Sequence, residues 1–544
     1  MGPSASASDD LGNENATIFG TSLYEPLNPV EFLALHEISQ KRARNALIPI
    51  SRLPPEVLAE IFMHWSNEWR AQSADQHTPR CAPRNGWIRI SHVSHHWREV
   101  SLQFPKLWCE FQADRAAFTE EILRRSKQAL LRIAVHLEQA DPLAVQLVLS
   151  QIYRMQSISV HRYHPDLLVA CRVGPDAPYL RDIRIDMWRA EINQGVHSTI
   201  FDNMATPRLT RLELRGNPHP WLLSLLRPTL THLTLKSLLP DATITMHQVL
   251  TVIGTLTTLQ ALALEGVLPL HASAPALHVR QSIHLPCLRH LRLRGSAPSS
   301  SSFIQCVRFP GSTSIRVETV DSITQQTLEF LLSTIAFRLR NANSKEPDQP
   351  LVSLDLSEQS LRGWRFDYGL PFFISRNRSS FRRPPIVEIS SPLDPSPSLL
   401  RAVFSSIPVH DVTSLTIGVY TFPIPEADWE QILVNLPHLR YMAVDESSSH
   451  SLANALVKNI LNIDMARERG DDDVELVLPA LEVLMLSIDG ATELSADSVV
   501  TRYRHIIAKR GAFTNVISKL LLHNGRSVES LSLQEPTEWS SDTT

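Results

Sequence analysis

The sequence predicts an α/β protein in two parts. A small helical module comes first, then an elongated array of repeated units with short parallel strands inside and helices or irregular returns outside. Three observations carry this. A helix-opening Leu53-Pro54-Pro55-Glu56 leads into a broad apolar face that closes at Trp108. Beyond it an apolar triplet, L-x-x-L-x-L, recurs toward the C-terminal end. A chain of 544 residues also exceeds a single core of ordinary size.

Composition narrows the function classes. Hydrophobic residues at 43% and charged residues at 20% are the fractions of a folded protein. A net charge of -4 gives no electrostatic case for nucleic acid as the main partner. Proline at 37 against glycine at 18 fits many short, stiff connections and not a glycine-rich phosphate cradle. The cysteines, Cys81, Cys109, Cys171, Cys287 and Cys306, are scattered without a C-x-x-C pair. Free thiols in a reducing compartment, the cytoplasm and/or the nucleus, are therefore expected. The opening MGPSASASDDLGNENAT has acids where a signal peptide needs basic and then apolar residues. Gly2 is followed by Pro3, a poor match to a myristoylation signal. No apolar run is long enough to span a membrane, and nothing points to a homo-oligomer.

The module divides as follows. Residues 1–28 read as a Ser/Asp/Asn-rich disordered tail and 29–49 as a leading helix. The module proper is 50–110. Leu53 precedes a proline and is biased toward an extended backbone. Pro54 and Pro55 suit a helix start, where backbone N–H groups have no intrahelical acceptor, and Glu56 sits well on the helix dipole. Val57, Leu58, Ile61, Phe62 and Trp65 make a face too wide for a solvated helix. A second helix is expected through Trp87–Val100, with Ile90, Val93, Trp97 and Val100 as its buried stripe, and Phe104–Trp108 closes the unit. Ser66 to Gly86, with Cys81 and Pro83, reads as a loop insertion. His92, His95 and His96 lack acidic or cysteine company and read as a solvated face, so no metal is expected. On pattern alone, a docking module and a cap on the end of a repeat array need the same stripes.

The motifs L-P-P-E-V-L-A-E-I-F, S-H-V-S-H-H-W-R-E-V and F-P-K-L-W, in that order, resemble the F-box family in the variant abundant in mushroom-forming fungi. The resemblance covers about residues 50 to 110. It implies a three-helix hook that docks on a Skp-type adaptor, which connects it to a cullin–RING ubiquitin ligase. Leu53 and Pro54 match the family's Leu-Pro adaptor contact. Val57, Leu58, Ile61 and Phe62 match its first-helix apolar set, and Val93, Trp97 and Arg98 its later helix. The implied role is that of a non-catalytic subunit that recognises a protein substrate. The alternative is a non-degradative interaction scaffold.

After a helical linker over 111–150, the array is expected over 151–535, ahead of a tail at 536–544. The triplet is clearest at Leu209/Leu212/Leu214, Leu230/Leu233/Leu235, Leu259/Leu262/Leu264 and Leu288/Leu291/Leu293. Weaker copies start at Met155, Leu180, Leu351, Val412, Leu439, Leu481 and Val528. The starts from Met155 to Leu288 are 25, 29, 21, 29 and 29 residues apart, in or near the leucine-rich-repeat range. The last two apolar positions share a strand's period, so both face one side. Returns such as Trp221–Leu226 and His247–Ile253 would cover them. The consensus Asn or Cys after the triplet is met only by Asn217, so the array resembles the irregular leucine-rich repeats found behind F-boxes.

Outward positions of the triplets hold Arg211, Glu213, Arg215, His232, Thr234, Lys236, Arg292 and Arg294. Arg211, Arg215, Arg292 and Arg294 are the candidate substrate contacts, suited to an acidic or phosphorylated segment; simple solvation of an exposed sheet face explains them as well. Long loops are expected near 362–384, where arginines interleave with aromatics, and near 464–475. No phosphate-loop, dinucleotide, zincin or serine-hydrolase motif occurs, so neither a cofactor nor catalysis is expected.

Overall fold

The computed structural model describes residues 28–74, 85–163, 176–187, 204–216, 225–237, 245–269, 282–320, 324–340, 350–357, 360–367, 384–390, 398–418, 424–469, 476–487, 493–511, 517–523 and 528–531. The chain forms two compact units, Met1–Trp108 and Cys109–Thr544.

The first unit is helical: α1 (Pro29–Ala46), α2 (Pro55–Ala74) and α3 (His95–Gln103), with 3-10 turns at Pro49–Arg52, Gly86–His92 and Pro105–Trp108. Two expectations are corrected. Helix α2 runs on to Ala74, so the first part of the expected loop insertion is helix, with Ser66 buried; residues 75–84, with Cys81 and Pro83, lie outside the described residues. The expected helix through Trp87–Val100 is broken at Val93-Ser94. Ser94 takes an extended backbone and its hydroxyl accepts the Trp97 N–H at 3.2 Å, an N-cap that restarts the chain as α3. The core gathers Leu58, Phe62, Trp87, Ile90, Val100, Leu107 and Trp108. Trp87 and Trp108 meet edge-on at 5.3 Å, and the Trp108 indole N–H donates to the Ser101 carbonyl at 2.7 Å. Gly86 lies so close to Trp69 that a Cβ would stand 2.4 Å from the indole ring.

Among the described residues the second unit is built on nineteen strands. They are β1 (Glu110–Ala113), β2 (Leu131–His136), β3 (Met155–Tyr163), β4 (Asp182–Met187), β5 (Arg211–Arg215), β6 (His232–Lys236), β7 (Ala261–Glu265), β8 (Ile283–His284), β9 (His290–Gly295), β10 (Val307–Arg308), β11 (Ser314–Thr319), β12 (Ser353–Ser357), β13 (Ser360–Trp364), β14 (Val387–Ser390), β15 (Ser414–Ile417), β16 (Tyr441–Asp445), β17 (Val483–Ser487), β18 (Lys519–His523) and β19 (Val528–Leu531). Strands β8 and β10 pair with each other, and the other seventeen form one mostly parallel sheet. Neighbours follow chain order from β1 to β7 and on through β9 and β11. The order then reverses locally as β14, β13, β12, and resumes from β15 to β19.

The triplets lie in register. Ile183/Ile185, Leu212/Leu214, Leu233/Leu235, Leu262/Leu264 and Leu291/Leu293 stand side by side on successive strands, all buried. The triplet's first residue closes a turn: the N–H groups of Leu180, Leu209, Leu230, Leu259 and Leu288 donate to the carbonyl three residues earlier at 3.0–3.3 Å. One carbonyl then accepts two N–H groups from the next unit, as Thr210 does from Thr231 and His232 at 2.8 and 3.0 Å. Repeated turns of this kind hold β4, β5, β6, β7 and β9 in one register, which keeps their leucines and isoleucines on one face.

Other expectations need correction. The sheet begins at β1 and β2, inside the segment expected to be a helical linker; Leu131, Ile133 and Val135 alternate at a strand's period. The Val528 copy enters antiparallel, as does β13 between β12 and β14. Of the expected loop near 464–475, residues up to Arg469 are helical and 470–475 lie outside the described residues.

Helices α4 (Ala116–Arg125), α5 (Pro142–Ser150), α6 (Met246–Gly254), α7 (Ala297–Cys306), α8 (Gln325–Arg340), α9 (Ser398–Ser406), α10 (Glu426–Val434), α11 (Glu446–Arg469) and α12 (Glu493–Arg510) supply the second layer. From α7 to α12 each packs on the next. Helix α6 covers the expected return at His247–Ile253 and opens with a Thr245/Gln248 capping box; most of the Trp221–Leu226 return lies outside the described residues. Buried guanidinium groups tie successive units. Arg154 donates to the Lys127 and Ala129 carbonyls at 2.6 and 3.1 Å, and Arg510 to those of Val477 and Leu478 at 2.7 and 2.9 Å. Carbonyls beyond helix ends and in turns, which have no intrahelical donor, are satisfied this way.

The sheet's other face changes character along its length. In β16–β18 it is apolar and buried: Ala443, Val483, Met485 and Leu521 cluster with Trp364 of β13. Strands buried on both faces read as continuous apolar runs, as Val483-Leu484-Met485-Leu486 does. From β4 to β11 the same face is polar.

Candidate functional site

Two surfaces stand out, one in each unit. In the first unit, the Pro54 carbonyl accepts the Leu58 N–H at 3.1 Å and so starts α2. Pro54 is exposed and Leu53 half-buried. Helical spacing then divides the apolar face in two. Leu58 and Phe62 turn into the core, where the Phe62 ring lies 4.9 Å from that of half-buried Trp97. Val57, Ile61 and Trp65, at i, i+4 and i+8, stay 44%, 39% and 37% exposed along the side that begins at Pro54. Val93 is 58% exposed and Arg98 is exposed on the later turns. The nine residues expected to contact an adaptor therefore fall into two groups. Leu53, Pro54, Val57, Ile61, Val93 and Arg98 have accessible surface. Leu58, Phe62 and in part Trp97 build the core beneath them. Sequence spacing puts all the apolar residues on one broad face; the depth of each is decided by packing against Trp87, Ile90 and Val100.

The second surface is the polar face of the sheet in the second unit. Register lines its side chains into rows across the strands. One runs Asp182, Arg211, His232, Ala261, His290, Ser314. The next runs Arg184, Glu213, Thr234, Ala263, Arg292, Arg316, Glu388. Residues of both rows line a cleft of about 440 Å³, rimmed by Pro384 and Pro385. Of the four expected substrate contacts, Arg211 and Arg292 line this cleft, whereas Arg215 and Arg294 stand in a third row beyond it.

The basic cluster is largely compensated. Arg184 and Arg215 reach Glu213 at 2.7 and 3.0 Å, Lys236 and Arg292 reach Glu265 at 3.2 and 3.4 Å, and Arg294 and Arg316 reach Glu318 and Glu388 at 3.3 Å each. Arg211 is 3.7 Å from Asp182. The sequence signal was available: the acids occupy the same outward positions as the arginines. The arginine ends of these pairs keep 30–48% of their side-chain surface while Glu213 and Glu265 keep 13% and 10%, so a ligand's anion can reach the guanidinium groups without displacing the acids. Burial, then the neighbouring Arg211 and His290 charges, pull the His232 imidazole below its ordinary range, against an opposite pull from Asp182.

In the arginine–aromatic segment, Arg362 sits in β13 and pairs with Glu388 at 3.1 Å and Asp355 at 3.6 Å, while Trp364 is buried. Residues 368–383, which carry the rest, lie outside the described residues. Among the described residues no group of three His, Cys, Asp or Glu side chains could hold a metal ion, and no helix is long and apolar enough to cross a membrane. Compared with models of protein families and with curated proteins, the sequence finds no match.

Proposed function

We propose that the chain is the substrate-recognition subunit of a cullin–RING ubiquitin ligase of the Skp–cullin–F-box type. On this reading the first unit is an F-box module that docks a Skp-type adaptor, and the second is an irregular leucine-rich-repeat solenoid whose polar sheet face receives a protein substrate. One observation carries it: a stripe of Pro54, Val57, Ile61 and Trp65 is left open to solvent on a helix whose opposite side has its own core. Large apolar side chains held in a line on a folded unit are what a docking surface needs. Burying each against a partner would contribute roughly 1.5–3 kcal/mol if fully covered. The protein's part is then proximity: it raises the effective concentration of substrate lysines near a ubiquitin-loaded partner.

Affinity capture from cell extract tests the reading. The full chain should recover Skp-type adaptor and cullin subunits, and the Leu53→Ala/Pro54→Ala/Ile61→Ala variant should not. Recovery of other proteins by both forms, with no ligase subunit from either, would favour a non-degradative scaffold.

A further inference from the structure

The row of side chains on the polar sheet face dips over β7. On β7 the outward positions are Ala261 and Ala263, where neighbouring strands carry His232 and Thr234 on one side and His290 and Arg292 on the other. The alanines form part of the floor of the cleft of about 440 Å³. Strands β6 and β9 flank β7 at a separation of about 9–10 Å from each other, twice the strand spacing. Within the cleft, that width lets one side chain of an extended peptide lie over the alanines.

The walls decide what enters. A group lying over the alanines meets two imidazoles and the Arg292 guanidinium. The rest of the cleft sets Arg184, Arg211 and Arg316 against two carboxylates, Glu213 and Glu388, so cations outnumber acids in its lining. The acid farther along β7, Glu265, is already engaged by Lys236 and Arg292. An arriving cation would have to displace these contacts, whereas an anion adds to them. We propose that this slot takes an acidic side chain, a carboxylate or a phosphate ester, from an extended peptide ligand, and that its capture is coupled to proton uptake by His232. The proposal rests on the reading of this face as the recognition surface and is independent of adaptor docking.

The proton coupling follows from what faces His232. Arg211 and Asp182 stand on one side, His290 on the other, and the Thr231 hydroxyl lies 2.9 Å from Nδ1. With the slot empty, burial and the adjacent positive charges favour the neutral ring. An anion in the slot opposes both, so the bound state holds the proton more tightly. Binding therefore strengthens as pH falls into the imidazole range.

The test uses the full chain and degenerate peptide libraries whose fixed central residue is Asp, Glu, phosphoserine, Asn or Ser. At about pH 6, retention of the acidic libraries should exceed that of Asn and Ser by about tenfold. Retention of the Asp and Glu libraries should fall severalfold at about pH 8, where the imidazole has lost its proton. Phosphoserine gains charge over that window and is compared at one pH only. Retention of Asp and Glu beside phosphoserine assigns the site to acidic side chains in general; phosphoserine alone assigns it to phosphate. Ala263→Leu fills the slot without changing charge and should abolish retention; His232→Gln should weaken the pH dependence, and His232→Gln with His290→Gln should remove it. Should Ala263→Leu melt early, Arg292→Gln provides the second variant, with retention lowered and melting unchanged. Equal retention of the Asp and Asn libraries, undiminished retention by a well-folded Ala263→Leu, or no retention of any library at either pH overturns the proposal. Loss of adaptor binding by the same chain would strike the ligase reading and leave this one standing.

Discussion

Phe62 and Trp97 bring their rings to 4.9 Å in a tilted arrangement, at an interplanar angle of 49°, joining the first motif helix of the N-terminal unit to its last. Phe62, which is buried, and Ile61, which is exposed, are adjacent in the chain. The two should respond unequally to substitution. Phe62→Ala should destabilise the unit by about 3–5 kcal/mol, because it leaves a cavity under Trp97. Val57→Asp with Ile61→Asp should cost less, about 1–2 kcal/mol, since each side chain keeps about two fifths of its surface in solvent. Chemical denaturation followed by tryptophan fluorescence would check both.

The aligned leucines of the sheet should be costly to remove, and the charges on its other face should not. Leu212→Ala and Leu291→Ala, each at a fully buried rung of the ladder, should lose about 2–5 kcal/mol. Arg294→Ala, at a partly exposed ion pair with Glu318, should lose less than about 1 kcal/mol. Comparing denaturation midpoints gives the answer, and similar losses at both sites would contradict the register.

Buried guanidinium groups should matter more than their surface counterparts. Arg154→Met keeps the stem but leaves the Lys127 and Ala129 carbonyls without their donor, a loss of about 1–3 kcal/mol. Hydrogen exchange should localise the loosening to residues 123–129, ahead of β2.

Glu121 makes stability respond to acid. Hydrogen bonds from Arg124 hold its carboxyl down at about 2, with Arg125 adding to the pull and partial burial opposing it. A depressed carboxyl stabilises the fold fully above its unfolded value of about 4.3, and the gain is lost as pH falls through the folded value. Glu121→Gln should therefore flatten part of the stability profile between about pH 4 and pH 2. The change should be small, because the pair is partly exposed. Denaturation midpoints collected through that window would detect it.

Much of the architecture was legible because the leucine triplets state a period of two and a turn three residues earlier. The same signal in Leu131, Ile133 and Val135 predicts β2 when given equal weight. What spacing cannot show is pairing direction: β13 and the hairpin with β12 carry no mark of being antiparallel. Nor does alternation tell which outward side chains face water, since Trp364, Val483 and Met485 occupy such positions and are buried by one another. Of the candidate contacts, Arg211 and Arg292 stand on the cleft as their alternation implies, yet the alanine floor between them shows only once β7 is placed between β6 and β9. In the helical unit, exposure along α2 depends on packing with Trp87 and Trp97, which no one-helix pattern contains.

Titration of the full chain with a purified Skp-type adaptor tests the central claim most directly. Unsubstituted protein should bind with measurable affinity. The Val57→Asp/Ile61→Asp variant, shown to be folded by a cooperative melting transition above the assay temperature, should lose at least about a hundredfold, the loss of about 2.7 kcal/mol of apolar burial. Equal binding by the two proteins would remove the exposed stripe of α2 as the docking surface, and absence of binding by the unsubstituted chain would contradict the ligase reading itself.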